Sequence, residues 1–301
     1  MRLPEFQSPD HPFVRLRSTM TFVAAICLAM ASLTMAAEPS RVPSTASGEL
    51  TLVVMDPLAA PLACDCVKGY ANRQYQRLGE YLESRLNKRV HVLWSESLAA
   101  LVEKDPNLKC DVVIGKNSVV VAHGKKLGVR FRAVASLTDM DGSTIQRGLF
   151  VVRSSSAVAS MLDLEGYTVF FGPEECDEKW QAPRKLLKEL DVHFADSSRS
   201  FDACSEAAKA LMEATQGAKI TAVISSYAAP LLEGCGTIRK SDLRVVGQTG
   251  ELPFITAFVN ESLPADEQTA IEKSLVELSD PELLTVLESA KGFKKVDATV
   301  R

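Results

Sequence analysis

The sequence predicts an α/β protein of two domains, each with a mostly parallel sheet flanked by helices. Short apolar runs rich in β-branched residues alternate with amphipathic segments along most of the chain, which is the pattern of repeated β-α-β units. A length of 301 residues leaves room for two domains that each bury a core. Apolar residues make up 46% of the chain and charged residues 24%, a balance typical of a globular protein rather than a disordered one.

The first series of predicted elements alternates strands with helices. The first apolar run ends at Asp56, and Leu78, Leu82 and Leu86 then recur at the four-residue spacing of an amphipathic helix face. The predicted strands of this series are 50–55, 90–94, 111–114, 131–137 and 149–153, and its predicted helices are 73–86 and 97–103.

A second series repeats the pattern and ends in two helices. Pro264 precedes the first closing helix, and Asp280 is placed to cap the second. The predicted strands are 168–171, 220–225, 243–246 and 254–259, and the predicted helices are 182–190, 202–214, 265–278 and 281–289. No repeat of 20–50 residues is visible, which excludes a solenoid.

The N-terminal region indicates export. Arg15 and Arg17 precede a short apolar run, and small residues end the region at Ala36 and Ala37. We interpret residues 1–37 as a signal peptide, with cleavage after Ala36 or Ala37 left open. The apolar run is shorter than the roughly 20 residues that span a bilayer, so a retained anchor is the weaker interpretation. The Pro/Ser-rich residues 38–47 are predicted to form a flexible leader.

The charge balance argues against nucleic acid and anionic membranes as partners, and the cysteine count indicates an oxidising compartment. With 34 basic and 38 acidic residues, the net charge of −4 offers no basic excess for nucleic acid or for an anionic membrane surface. Six of the seven cysteines lie outside the predicted signal peptide. An even number in an exported chain predicts disulfides, although six cysteines allow 15 connectivities.

Four stretches, taken in order and spacing, carry a resemblance to a known family. They are DVVIG at 111–115; LFVVRS at 149–154 with MLDLEG at 161–166; FFG at 170–172 with the helix around 183–187; and DLRVV at 242–246 with KGF at 291–293. Together they resemble the phosphonate/phosphite/phosphate substrate-binding proteins of ABC transporters, a branch of the type II periplasmic binding proteins. The likeness covers about residues 50–295.

This resemblance implies a fold and a transport role. It implies two lobes, with lobe one formed by 48–145 plus 255–301 and lobe two by 149–251. The chain would cross between them near 144–148 and 251–255. A small oxyanion or zwitterion would be trapped between the lobes in the periplasm and passed to an ABC permease, and the protein would be a monomer. No cofactor and no enzymatic activity are implied, which agrees with the absence of a nucleophile elbow, GxGxxG or Walker A motif.

The resemblance also implies a set of ligand-binding residues. The family holds its oxyanion with a Ser-Thr-Ser run at a helix start, and the corresponding positions here are Cys176, Asp177 and Glu178. Lys116 and Arg147 are the cationic candidates. The full set is Asp56, Lys116, Asn117, Ser118, Gln146, Arg147, Cys176, Asp177, Glu178, Phe201, Ser225 and Ser226. Two like charges about 4 Å apart repel by about 4 kcal/mol at an effective dielectric constant near 20, so the acidic loop disfavours a phosphonate dianion.

Two alternatives follow from the cysteines. Cys64, Cys66 and Cys176, with the acids around 174–178, are candidate ligands for a soft or borderline metal ion in a cation-binding or sensory cleft protein. The competing interpretation is that the cysteines form disulfides, and in lobe two Cys204 and Cys235 are the favoured pair. Cys176 is a poor candidate for a catalytic nucleophile because acids surround it and no histidine base is adjacent.

Overall fold

The computed structural model describes residues 48–63 and 72–296. In chain order the strands are β1 (Glu49–Met55), β2 (Arg89–Trp94), β3 (Val112–Lys116), β4 (Phe131–Leu137), β5 (Ile145–Gln146), β6 (Gly148–Arg153), β7 (Thr168–Phe171), β8 (Arg199–Ser200), β9 (Ile220–Ser225), β10 (Leu243–Gln248), β11 (Leu252–Pro253), β12 (Ile255–Asn260) and β13 (Phe293–Lys295). The helices are α1 (Tyr75–Leu86), α2 (Leu98–Lys104), α3 (Asn117–Leu127), α4 (Gln181–Glu189), α5 (Cys204–Glu213), α6 (Ala228–Gly234), α7 (Ala265–Val276) and α8 (Pro281–Val286). Short 3-10 turns add Ala60–Leu62, Met161–Leu164 and Asp177–Lys179.

The strands form two main sheets, and the larger one belongs to lobe one. Its order is β13-β4-β12-β3-β1-β2. Strands β1 to β4 run in one direction, whereas β12 and β13 run the opposite way. Strand β12 is antiparallel because the chain re-enters this sheet from lobe two. Four of the six strands therefore share one direction, and the sheet is mixed, with β12 and β3 at its centre.

The sheet of lobe two follows the same plan. Its order is β10-β6-β9-β7-β8, and β6 alone among these strands runs against the others. Strand β6 is the first strand after the chain leaves lobe one. The predicted α/β class is confirmed by both lobes, and in each main sheet parallel and antiparallel pairs are mixed.

A third, two-stranded sheet joins the lobes. Strand β5 pairs antiparallel with β11, with Gln146 opposite Leu252 and Ile145 opposite Pro253. Both chain crossings therefore run side by side, which is the geometry of a hinge between two lobes.

Helices cover both faces of each main sheet. In lobe one, one core packs against α1, α7 and α8, and a second core on the opposite face packs against α2 and α3. In lobe two, α5 and α6 cover one face and α4 the other. Since both faces are covered, the central strands read as continuous apolar runs rather than as alternating patterns.

The structure contains several helices and strands that the sequence did not predict. Helix α3 is absent from the prediction because its Val119–Val121 run favours a strand; Gly128, at a φ of +69°, ends this helix. Helix α6, the short strands β8 and β13, and the hinge strands β5 and β11 are also absent from the prediction.

The signal peptide, the leader and the pair Cys64 and Cys66 lie outside the described residues. No helix within 48–63 and 72–296 is both long enough and apolar enough to cross a membrane.

Candidate functional site

The carboxyl ends of strands from both lobes meet at one place. Lys116 is the last residue of β3 in lobe one, and Ser225 is the last residue of β9 in lobe two. The loop that follows β7 carries the acidic turn Asp177–Lys179 into the same region. Open α/β sheets bind ligands beyond the carboxyl ends of their strands, so this meeting point is the candidate site.

A buried ion pair joins the two lobes at this point. Lys116 Nζ donates to Glu178 Oε1 at 2.5 Å and lies 3.3 Å from Cys176 Sγ. Ser225 Oγ donates to the same Glu178 oxygen at 2.6 Å. Lys116 is 5% exposed and Glu178 is fully buried. The Glu178 carboxylate therefore accepts hydrogen bonds from both lobes in a region closed to water.

The backbone of the acidic turn fixes the position of Glu178. Gly172 N–H donates to the carbonyl of Lys179, and Lys179 N–H donates to the carbonyl of Cys176. Ser118, at the start of α3, adds a second contact between the lobes. Its hydroxyl donates to the carbonyl of Glu175 at 2.8 Å and accepts from the N–H of Asp177 at 3.1 Å. The turn is thus held by lobe one as well as by its own lobe.

The ion pair controls the protonation of its members. Burial acts to raise the pKa of Glu178, but the ammonium groups of Lys116 and Lys179 outweigh it and hold that pKa below its usual value of 4.5. Burial acts to lower the pKa of Lys116, but the Glu178 carboxylate outweighs it and raises that pKa well above 10.5. Burial raises the pKa of the Cys176 thiol despite the nearby Lys116. The pair is therefore ionised at neutral pH, with Cys176 as a thiol.

These shifts predict a pH window for the stabilisation that Glu178 provides. Because its pKa is lowered in the folded state, the contribution is complete above the ordinary value of 4.5 and is lost as pH falls through the lower folded value. We expect the difference in unfolding free energy between the wild type and Glu178→Gln to be constant from pH 6 to pH 8 and to shrink below about pH 4. Urea denaturation across pH measures it. The exposed control Glu174→Gln should show no such dependence, and a flat Glu178→Gln difference would contradict the prediction.

Two aromatic rings extend the contact between the lobes. Tyr227, two residues after the end of β9, stacks on Phe254 with ring centroids 4.6 Å apart and an interplanar angle of 21°. The ammonium of Lys116 lies 5.8 Å from the centre of the Tyr227 ring. Tyr227 packs against the cores of both lobes. The ion pair is thus covered on one side by an aromatic residue that spans the cleft.

A small pocket opens between the lobes next to this cluster. Its volume is about 190 Å³. Lobe one contributes Pro57, Leu58, Leu62 and Glu96, and lobe two contributes Lys179, Asp202, Ala203, Cys204, Ser205, Tyr227, Ala228, Leu231 and Leu232. Ligand pockets for drug-sized molecules measure about 300–1,000 Å³, so this one suits a smaller solute. A larger cavity of about 460 Å³ lies at the opposite edge of the lobe-one sheet, near Glu49 and Asp111, at the amino ends of β1 and β3.

Most of the remaining predicted ligand residues are engaged in the hinge. Asn117 donates from its backbone to Phe254 and from its side chain to Thr256. Gln146 donates to the carbonyl of Pro253 at 3.3 Å and keeps its side-chain oxygen buried without a hydrogen-bond partner. Arg147 and Ser226 are hydrogen-bonded to each other: the N–H of Arg147 donates to Ser226 Oγ, and the N–H of Ser226 donates to the carbonyl of Arg147. The Arg147 guanidinium lies 2.5 Å from the carboxylate of Glu251.

Two further predicted residues have internal partners. The carboxylate of Asp56 is fully buried and accepts from Arg73 Nη1 at 2.9 Å and Tyr75 Oη at 2.5 Å. Asp56 is thus held by partners within lobe one, and its role as a ligand residue stays a prediction. The ring of Phe201 packs 4.9 Å from that of Phe170, with the guanidinium of Arg199 5.0 Å from its centre.

The pocket residues are the part that sequence reasoning missed. None of the predicted ligand residues lines the pocket, yet several immediate neighbours do: Lys179 follows Glu178, and Tyr227 follows Ser226. The pocket is lined from some of the loops that the resemblance implies, but by other side chains of those loops. Lys179 carried no detectable signal in the sequence, because its burial, at 4% exposure, becomes apparent only in the folded structure.

The cysteine expectations are corrected in part. Cys110, Cys176, Cys204 and Cys235 are all free. Cys204 packs against Ser225, and Cys235 hydrogen-bonds locally at the end of α6, so the expected Cys204–Cys235 disulfide is wrong. Within 48–63 and 72–296, no group of three or more His, Cys, Asp or Glu side chains is arranged to hold a metal ion. A role for Cys64 and Cys66 stays a prediction.

Comparison with solved structures shows the same fold. A Xanthomonas citri protein bound to ATP is 16% identical, with a TM-score of 0.62, covering 84% of this chain and 93% of that one. A binding protein component of a Pseudomonas aeruginosa ABC phosphonate transporter is 11% identical, with a TM-score of 0.60 and coverage of 83% and 82%. PhnD1 from Prochlorococcus marinus, in complex with methylphosphonate, is 15% identical, with a TM-score of 0.60 and coverage of 83% and 93%.

A family model confirms the resemblance seen in the sequence. The model for the periplasmic substrate-binding protein of phosphonate ABC transporters matches residues 70–300. This family consists of solute-binding components of transporters and not of enzymes, and its members work in the periplasm with an ABC permease. The chain therefore belongs to the phosphonate-binding family of periplasmic substrate-binding proteins of ABC transporters.

Proposed function

We propose that this chain captures a small zwitterionic solute in the pocket between its lobes and delivers it to an ABC permease. The observation that carries the proposal is the lining of the 190 Å³ pocket by both lobes. A solute bound there contacts lobe one through Leu58 and Glu96 and lobe two through Lys179 and Tyr227. Contacts on both sides of a hinge are what couples binding to lobe closure.

The chemistry of the lining supports a zwitterion. Lys179 supplies a buried cation for an anionic group, and its Nζ lies 3.5 Å from the carbonyl oxygen of Asp202, just before α5. Glu96 and Asp202 supply exposed carboxylates from opposite lobes for a cationic group. Leu58, Leu231 and their neighbours give the remaining wall an apolar character that suits a short carbon skeleton.

A thermal-shift screen of the mature protein tests the solute class. The compounds are inorganic phosphate, methylphosphonate, the amino acids and divalent metal ions. A solute present at 100 times its Kd adds about 2.7 kcal/mol of stability, which gives a clear increase in Tm. We expect the increase with zwitterions and not with phosphate. An increase confined to metal ions would instead favour the cation-binding alternative.

A substitution that fills the pocket tests its location. Leu231 is partly exposed at the pocket wall, and Leu231→Trp adds an indole to a space of about 190 Å³. We expect affinity for the solute found in the screen to fall by at least about tenfold, equivalent to 1.4 kcal/mol. Folding should be preserved because Leu231 is only partly buried, at the edge of the lobe-one core. Isothermal titration calorimetry measures it. Val121→Trp, at a 53% exposed position on α3 outside the pocket, is the control. Unchanged affinity in Leu231→Trp would place the solute elsewhere.

A further inference from the structure

The contacts of Glu178 are those expected of a bound anion. An anionic solute that closes a two-lobe protein accepts hydrogen bonds from both lobes. Here the side chain of Glu178 accepts them instead. Lys116 donates from lobe one and Ser225 from lobe two, both to Glu178 Oε1. The second oxygen, Oε2, is buried and has no hydrogen-bond partner in the described part of the chain. The carboxylate thus fills the space between the strand ends.

The surroundings of this carboxylate hold it in its ionised form. Lys116 and Lys179 are the cations that act on it, and the thiol of Cys176 and the ring of Tyr227 complete the shell around Lys116. Asp177 lies next to it along the chain, and its pKa is raised by burial and by the Glu178 charge. A free oxyanion entering the same place would meet Glu178 at hydrogen-bond range, so the two cannot share the site.

The location of the pair on two lobes distinguishes it from an ordinary buried ion pair. Lys116 ends a strand of the lobe-one sheet, and Glu178 lies in the turn after β7 of the lobe-two sheet. Within the described residues, these two sheets are connected covalently only through the two hinge crossings. Opening the hinge returns both charges to water without unfolding either lobe. The pair therefore acts on the distance between the lobes more than on the folding of each one.

We propose that Glu178 is a built-in anion that closes the lobes without a solute and excludes free oxyanions from this position. A small oxyanion binds there only when the carboxylate of Glu178 has been removed. The inference concerns the same cleft as the proposed function, but it depends neither on the pocket solute nor on a permease. On this proposal, the carboxylate of Glu178 is what prevents this chain from binding a free oxyanion between the strand ends.

Chemical rescue tests the proposal. Glu178→Ala removes a CH₂ and a carboxylate, and acetate supplies the same groups as a free anion. We expect the variant to bind acetate at least about tenfold more tightly than the wild type does, as measured by calorimetry. The control Glu174→Ala removes one exposed negative charge from the same loop and should gain no acetate binding. The double variant Lys116→Met/Glu178→Ala should lose the gain, because the lobe-one donor is then absent.

Solution scattering supplies an independent readout. The dialysed wild type should have the radius of gyration of the closed structure, Glu178→Ala should be more expanded, and acetate should restore the compact value in Glu178→Ala only. A dialysed wild type that is already open would overturn the proposal, whatever the variants do. So would a folded Glu178→Ala that stays compact and binds no acetate. Failure of the solute screen, by contrast, would overturn only the proposed function, since neither measurement here uses the solute of the pocket.

Discussion

Replacing Asp56 with alanine is expected to lower the free energy of unfolding by about 3–5 kcal/mol, because it leaves a buried cation without its partner. Asp56 is fully buried, and its carboxylate accepts from Arg73, Tyr75 and the N–H of Leu58. Arg73 is itself 3% exposed. The carboxylate raises the pKa of Arg73, and burial together with that carboxylate raises the pKa of Tyr75. Urea denaturation of both proteins at neutral pH measures the difference.

The exposed pair Arg77–Glu80 on α1 provides a matched control. Its side chains are 54% and 60% exposed at a separation of 3.6 Å. Glu80→Ala is expected to cost no more than about 1 kcal/mol, since exposed ion pairs contribute little. A loss below about 1 kcal/mol in Asp56→Ala would contradict the structural role. A loss of solute affinity at unchanged stability would instead restore Asp56 as a ligand residue.

The fold was largely predictable because its strands are buried on both faces. Strands of that kind appear in the sequence as short β-branched runs, and runs such as 50–55 and 220–225 coincide with β1 and β9. Helix α3 was missed for the same reason, since its valines imitate a strand. What made it a helix is tertiary: Val120 is fully buried in a core that α2 and α3 share with β3.

The site was less predictable because its partners are distant in sequence. Lys116 and Glu178 are 62 residues apart and lie on different lobes. Each one alone is a charged residue in a loop or at a strand end, and local sequence cannot pair them. The resemblance brought both into the cleft as ligand residues. Only the folded structure reveals that they bind each other. It also reveals that residues next to Glu178 and Ser226 in sequence line the pocket beside them.

The position of Glu178 depends on a glycine on the neighbouring strand, and this leads to the second large expected effect. A Cβ on Gly148 would lie 1.8 Å from the carbonyl oxygen of Glu178 and 3.2 Å from Thr249 Cγ2. Gly148 cannot retreat easily, because it pairs with Ser225 on β9 and exchanges hydrogen bonds with Thr249. The turn that carries Glu178 must move instead.

Gly148→Ala is therefore expected to destabilise the protein by about 1–3 kcal/mol, the usual range for an overpacked interior. It should also expand the protein in solution scattering, because a displaced turn moves the Glu178 carboxylate away from Lys116 and Ser225. Gly250→Ala is the matched control: nothing lies within 4 Å of its Cβ position, and its backbone is not left-handed. A Gly148→Ala variant as stable and as compact as Gly250→Ala would show that the turn can shift without loss, and that the fit between β6 and this turn does not hold the lobes together.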